Sequence, residues 1–104
     1  MSTFDNRQKA FEDMFARDAD LQFKVMARRN KLLGLWAAER LGHIGDAAAA
    51  YAMEVVAADF EEPGDEDVYR KVAGDLGDRA TETEIRAAMV TTMTEATRQY
   101  MDAV

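Results

Sequence analysis

Between Phe4 and Gly34 the chain contains neither proline nor glycine, the two residues that interrupt helices most effectively. Its breakers gather downstream instead, in Gly42-His-Ile-Gly-Asp46, in Glu61-Glu-Pro-Gly-Asp65 and at Gly77. One long uninterrupted stretch followed by shorter ones leaves little room for hairpins. Ala, Glu and Arg are abundant and β-branched runs are few, so propensity favours helices and gives little support to a sheet. The expectation is an all-α protein, a small four-helix bundle with a mobile N-terminal arm.

Helix signals place the bundle in residues 20–104. Asp18 and Asp20 are caps for a first helix from about Leu21 to Leu41, with Gly42 as its stop. Val25, Leu32, Leu33, Trp36, Ala37 and Leu41 repeat there at helical spacing. Gly34, with Ala37 and Ala38, makes a small-residue surface that a neighbouring helix can approach closely. Asp46 is placed to cap a second helix reaching about Phe60, with Tyr51, Val55 and Ala58 on its inner side. After the Pro63 break, Val68, Tyr69, Val72 and Leu76 mark a third helix from Asp65 to about Gly77. Thr81 followed by Glu84 fits a capping box, and Ile85, Met89, Met93, Ala96 and Tyr100 continue as a fourth helix.

Residues 1–19 form a separate unit. Phe4, Phe11 and Phe15, with Met14 adjoining, fall on one side of a helix, and Arg7, Lys9, Glu12 and Arg17 lie among the charges on the others. The composition suits a helix that forms conditionally and is disordered or frayed when free, as terminal segments are unless tied down. The same three Phe fit membership of the core equally well. With no breaker before Gly34, this unit can also run on into the next helix as one rod.

Thirteen basic residues against twenty acidic ones give a formal charge of −7. That surplus argues against nucleic-acid binding, which depends on neutralising phosphates, and points to a protein partner. Without cysteine there is no disulfide, thiolate metal site or thiol nucleophile. The start of the chain lacks an apolar signal-peptide core, and no run approaches the roughly 20 apolar residues of a membrane span. A cytoplasmic protein follows as the expectation. His43, the single histidine, lies in a turn outside any catalytic or metal constellation. The acidic run Glu61, Glu62, Asp65, Glu66 and Asp67 lacks the ligand spacing of a calcium loop, and capping and solvation account for it; together with Glu54 and Asp59 it can pair with the basic cluster Lys24, Arg28, Arg29 and Lys31 on the neighbouring helix. No catalytic or metal-binding residue is assigned.

Several stretches taken together carry a resemblance: Phe4-Asp-Asn-Arg7, Ala10-Phe-Glu12, Phe23-Lys24, Ala27-Arg-Arg-Asn-Lys-Leu-Leu-Gly34, Trp36-Ala-Ala38 and Ala58-Asp-Phe-Glu-Glu-Pro-Gly-Asp65. They resemble the zeta subunit of alphaproteobacterial F-type ATP synthase, an ATPase inhibitor, closely over residues 3–76 and loosely over the last helix. The resemblance implies a four-helix bundle whose N-terminal arm inserts as a helix into the catalytic head of the synthase and blocks ATP hydrolysis. The partner-binding residues would then be Phe4, Arg7, Lys9, Phe11, Glu12, Met14, Phe15 and Arg17. It also implies weak ATP or ADP binding, for which Arg28, Arg29 and Lys31 are the candidates, with no cofactor required. The protein would be a monomer when free and reach the membrane only through the synthase. A nucleotide-sensing helical module without inhibitory activity is the alternative.

Overall fold

The computed structural model describes residues 3–59 and 64–103, without the side chains of Thr3 and Phe4. Five α-helices follow one another: α1 (Thr3–Arg17), α2 (Ala19–Leu41), α3 (Gly45–Ala58), α4 (Glu66–Leu76) and α5 (Glu82–Ala103), with a 3-10 turn at Gly77–Arg79 before α5. No strand occurs among the described residues. The all-α expectation holds. The four helices expected within residues 20–104 correspond to α2, α3, α4 and α5, and the arm segment supplies the fifth.

The local signals explain most boundaries. The Asp18 side chain accepts the Leu21 N–H at 3.1 Å and opens α2. Gly42, at φ 81°, closes it from a left-handed conformation that costs a glycine nothing. At α5 the Thr81 hydroxyl accepts the Glu84 N–H at 3.1 Å while Glu84 accepts the Thr81 N–H at 3.0 Å, a reciprocal capping box. Thr81→Ala is expected to lower stability by about 1 kcal/mol, readable as a shift of the urea midpoint at unchanged m.

One cap differs from expectation, and one helix start is left without a side-chain cap. α3 starts one residue before Asp46, behind an extended Ile44 that makes no side-chain cap bond. Gly45, with φ 56°, turns the chain directly into the helix, so Asp46 sits in the first turn and acts only through its charge on the helix dipole. Asp65 occupies the N-cap position of α4 without a side-chain cap bond, because its carboxylate is drawn to Arg29 at 2.8 Å. α3 ends at Ala58; its expected end at Phe60, with Glu61 and Glu62, lies outside the described residues.

α2 touches every other α-helix and is the hub of the fold. Its deepest side packs Leu33, Ala37 and Ala38 against Tyr51 and Val55 of α3, Val68, Val72 and Leu76 of α4, and Ile85, Ala88 and Met89 of α5. Leu33, Val55, Val68, Val72 and Leu76 are fully buried, each contributing roughly 1.5–3 kcal/mol by removal from water. At Gly34 the α2 and α3 backbones nearly touch: an added Cβ would stand 2.6 Å from the Ala52 Cα. A second, smaller cluster of Phe11, Leu21, Val25, Ala96 and Met101 joins α1 to the ends of α2 and α5.

Candidate partner-binding surface

α1 meets α2 at a single non-helical residue. Asp18 takes an extended conformation, φ −111° and ψ 104°, yet its N–H donates to the Met14 carbonyl at 2.9 Å and its carbonyl accepts the Gln22 N–H at 3.1 Å. The hydrogen-bond ladders therefore reach the junction from both sides, and the Gln22 side-chain amide also donates to the Phe15 carbonyl at 2.6 Å. The continuous rod allowed by the sequence is interrupted here because the Asp18 carboxylate takes the Leu21 N–H.

The aromatic residues of the arm do not share one environment. Phe11 is 4% exposed, seated among Leu21, Val25, Ala96 and Met101. Phe15 is half-buried and stacks on Phe11 with ring centroids 6.3 Å apart. Met14 is exposed, and the Phe4 side chain lies outside the described residues. Arg7 donates to the Met101 carbonyl at 3.1 Å and stands 3.7 Å from the Asp102 carboxylate. Glu12 accepts from Gln8 at 3.1 Å and Arg17 donates to the Asp13 carbonyl at 3.2 Å, while Lys9 is exposed. Both polar contacts of Arg7 thus go to the end of α5, whereas Glu12 and Arg17 bond within α1.

Beside α1 opens a groove of about 660 Å³, floored by Phe11, Met26, Met89, Met93 and Met101 and edged by Val90. Methionine is flexible and polarisable, so such a floor accommodates apolar shapes with little strain. Met26 and Met101 escaped the sequence reading. Met101 follows Met93 by eight residues, a helical repeat that could have revealed it.

The basic cluster is divided by the helix. Arg29 is 2% exposed and bound to Asp65 at 2.8 Å and to the Asn30 amide oxygen at 2.7 Å. Arg28 and Lys31 stay on the exposed face of α2. Arg28 donates to Gln99 at 2.6 Å and lies over the Tyr100 ring at 5.5 Å. The three residues considered for nucleotide phosphates therefore do not converge on one point.

Asp59, at the end of α3, borders the buried Arg29 and Asn30. Burial pushes its carboxyl above the usual carboxylate range, and the neighbouring Asp67 and Asp65 charges add to this against the Asn30 hydrogen bond and the Arg29 charge. A folded-state pKa raised above the unfolded one contributes stability at low pH, and that contribution is lost as pH rises through the folded value. Asp59→Asn is therefore expected to be more stable than the parent at neutral pH, with the difference shrinking in acid. Urea titrations at both pH values check the sign.

One other constellation invites a chemical reading. Tyr51 donates to Asp75 at 2.9 Å, and Lys71 bridges Asp75 at 2.8 Å and Glu54 at 3.0 Å. Burial and the nearby Asp75 push the Tyr51 hydroxyl up, and hydrogen bonding to Asp75 pushes the Lys71 ammonium up. Tyr51 stays neutral and Lys71 charged at physiological pH, so neither serves as base or nucleophile. His43 is an exposed turn residue whose ring lies 6.1 Å from that of Tyr51. No group of metal-ligating side chains occurs among the described residues, and no described helix is long and apolar enough to cross a membrane.

Helices packed around a central helix, a first helix held to it chiefly by Phe11, and an apolar groove beside it define a small all-helical protein. Comparison with known proteins makes this specific. The chain belongs to the family described as ATPase inhibitor subunit zeta, which it matches over residues 1–99. It is also similar to a protein whose structure was determined by solution NMR, at 58% identity and a TM-score of 0.75, over 81% of this chain and 99% of that one. No curated protein matches the chain.

Proposed function

We propose that this protein inhibits ATP hydrolysis by an F-type ATP synthase, with α1 leaving its resting place and inserting as a helix into the catalytic head. α2 to α5 then act as a four-helix bundle that carries the arm. The observation that supports this reading most directly is the one-residue junction at Asp18, beyond which α1 rests on α2 and α5 around a single buried ring, Phe11. A preformed amphipathic helix of this kind suits helix-in-groove binding, with Phe4, Phe11 and Phe15 as anchors and Arg7, Lys9, Glu12, Met14 and Arg17 around them.

Docking on the bundle and docking on the head use the same apolar side, so they compete. The apparent affinity is the intrinsic affinity reduced by the fraction of molecules whose arm is free, which makes inhibition conditional. The protein would work in the cytoplasm, held at the membrane by the synthase alone. The test is to add the full chain, and the chain without residues 1–19, to the cognate ATPase. Inhibition by the full chain and its loss in the shortened one are expected; equal inhibition by both, or by neither, refutes the mechanism.

A further inference from the structure

The apolar phase of α1 does not stop at its junction with α2. Phe4, Phe11, Val25 and Leu32 fall on one seven-residue series, and Met14, Leu21 and Leu35 fall on the series three places further along, which only Arg28 interrupts. Two helices joined by a turn need no common phase, whereas one straight helix keeps such a series on one side. The first series fails only at Asp18, the single non-helical residue of the junction. Residues 16–20 are exposed, so no other helix packs over this point. Its backbone is already half helical, because the Asp18 N–H and carbonyl make the bonds to Met14 and Gln22 that a continuous helix requires. Straightening adds three more, from the Ala19, Asp20 and Leu21 N–H groups to the Phe15, Ala16 and Arg17 carbonyls. In the bent form two side chains stand in for them, the Asp18 carboxylate on the Leu21 N–H and the Gln22 side-chain amide on the Phe15 carbonyl.

We infer that Asp18 is a two-position hinge: when α1 leaves its seat on α2 and α5, Asp18 turns helical and residues 3–41 become one continuous helix. This rests on the reading that α1 leaves the bundle to reach the ATPase. The bent form is held by the seat around Phe11 and by the two side-chain bonds. Once the seat is lost, α1 extends a helix that already exists, and extension needs no new nucleus. Neither proline nor glycine opposes it before Gly34. The rod is about 58 Å long at 1.5 Å per residue, against a 45 Å long axis for the whole protein in the bent form. The arm is thus presented on a rigid extension of the central helix, with the bundle fixed at its far end, and not on a tether.

The absence of cysteine lets Asn6→Cys/Glu39→Cys carry one spin label at each of two exposed positions. In a continuous helix these sites lie about 50 Å apart, beyond the 45 Å long axis of the bent protein. The distance is measured in the full chain alone, in the chain unseated by Phe11→Glu, and in the labelled chain saturated with the cognate ATPase. If Phe11→Glu does not fold, Met101→Glu brings a charge to the same seat from α5. A shorter distance is expected for the chain alone, and one narrow long distance for the other two, with slowed amide exchange at Ala19 and Asp20 in the unseated chain. A broad or shorter distribution in the unseated chain or in the complex overturns the hinge even where inhibition is intact. The long distance in the unseated chain, with no inhibition by the parent, refutes the inhibitory mechanism and leaves the hinge standing. Asp18→Ala removes one stand-in bond and favours helix, so it should raise the apparent affinity for the ATPase about tenfold. Asp18→Asn keeps an acceptor and should match the parent, and equal affinity of the two variants also overturns the hinge.

Discussion

Met101→Ala is expected to strengthen inhibition although it removes a buried side chain. Met101 packs on Phe11 in the small cluster that holds α1 down, and it takes no part in the proposed contact with the ATPase. Trimming it weakens docking of the arm on the bundle by about 2 kcal/mol, the low end for a buried methionine, which is about a 30-fold change in the ratio of docked to free arm. Onset of inhibition should quicken by up to that factor, less if the arm is already partly free. Amide exchange in α1 should rise while the core of α2, α3 and α4 stays protected. Unchanged or slower inhibition by this variant would rule out competition between the two docking sites. Phe11→Ala is a poorer test, because the ring is buried in both states and its loss weakens both.

The second large effect is at Gly34. Helix propensity alone says that Gly34→Ala should gain about 1 kcal/mol. The added Cβ would lie 2.6 Å from backbone at Ala52, and backbone cannot turn aside as a flexible side chain can. The α2 and α3 axes must separate, loosening the packing of Tyr51 and Val55 against α2. Overpacking of this kind costs about 1–3 kcal/mol, and a contact as close as this one falls toward the upper end, so the net change for Ala is expected to be a loss of up to about 2 kcal/mol, and for Gly34→Leu a loss of about 3 kcal/mol or more. Thermal unfolding reads the sign. A more stable Gly34→Ala would show that the helices tolerate separation.

Much of the fold was legible because its signals are local. Asp18, Gly42, Gly77, Thr81 and Glu84 act within a few residues of themselves, and each sits where its chemistry implied. The small-residue surface at Gly34 was legible too, since absence of a side chain permits close approach wherever a partner helix exists. Asp46 misled because a carboxylate near a helix start has more than one use, whereas pairing of Asp65 with the basic cluster of α2 was legible. Gly45 began α3 early, and Arg29, distant in sequence, drew Asp65 away from the backbone. For the candidate site, the Phe spacing of the arm was visible, but the burial of Phe11 beside Met101 was not, because it joins residues ninety positions apart. Arg28, Arg29 and Lys31 form one cluster in sequence, yet successive helical residues point about 100° apart, and the fold buries only Arg29.

By itself the sequence determined the helical class, the positions of most helix ends, the amphipathic face of α1 and the family resemblance, since each depends on residues close together along the chain. Only the tertiary structure decided which charges are neutralised, which aromatic ring is enclosed, and where α1 rests. Those outcomes depend on which helix faces meet, and that is settled by the simultaneous packing of several helices around α2, with the backbone contact at Gly34 and the pairing of buried Arg29 with half-exposed Asp65 as its tightest points.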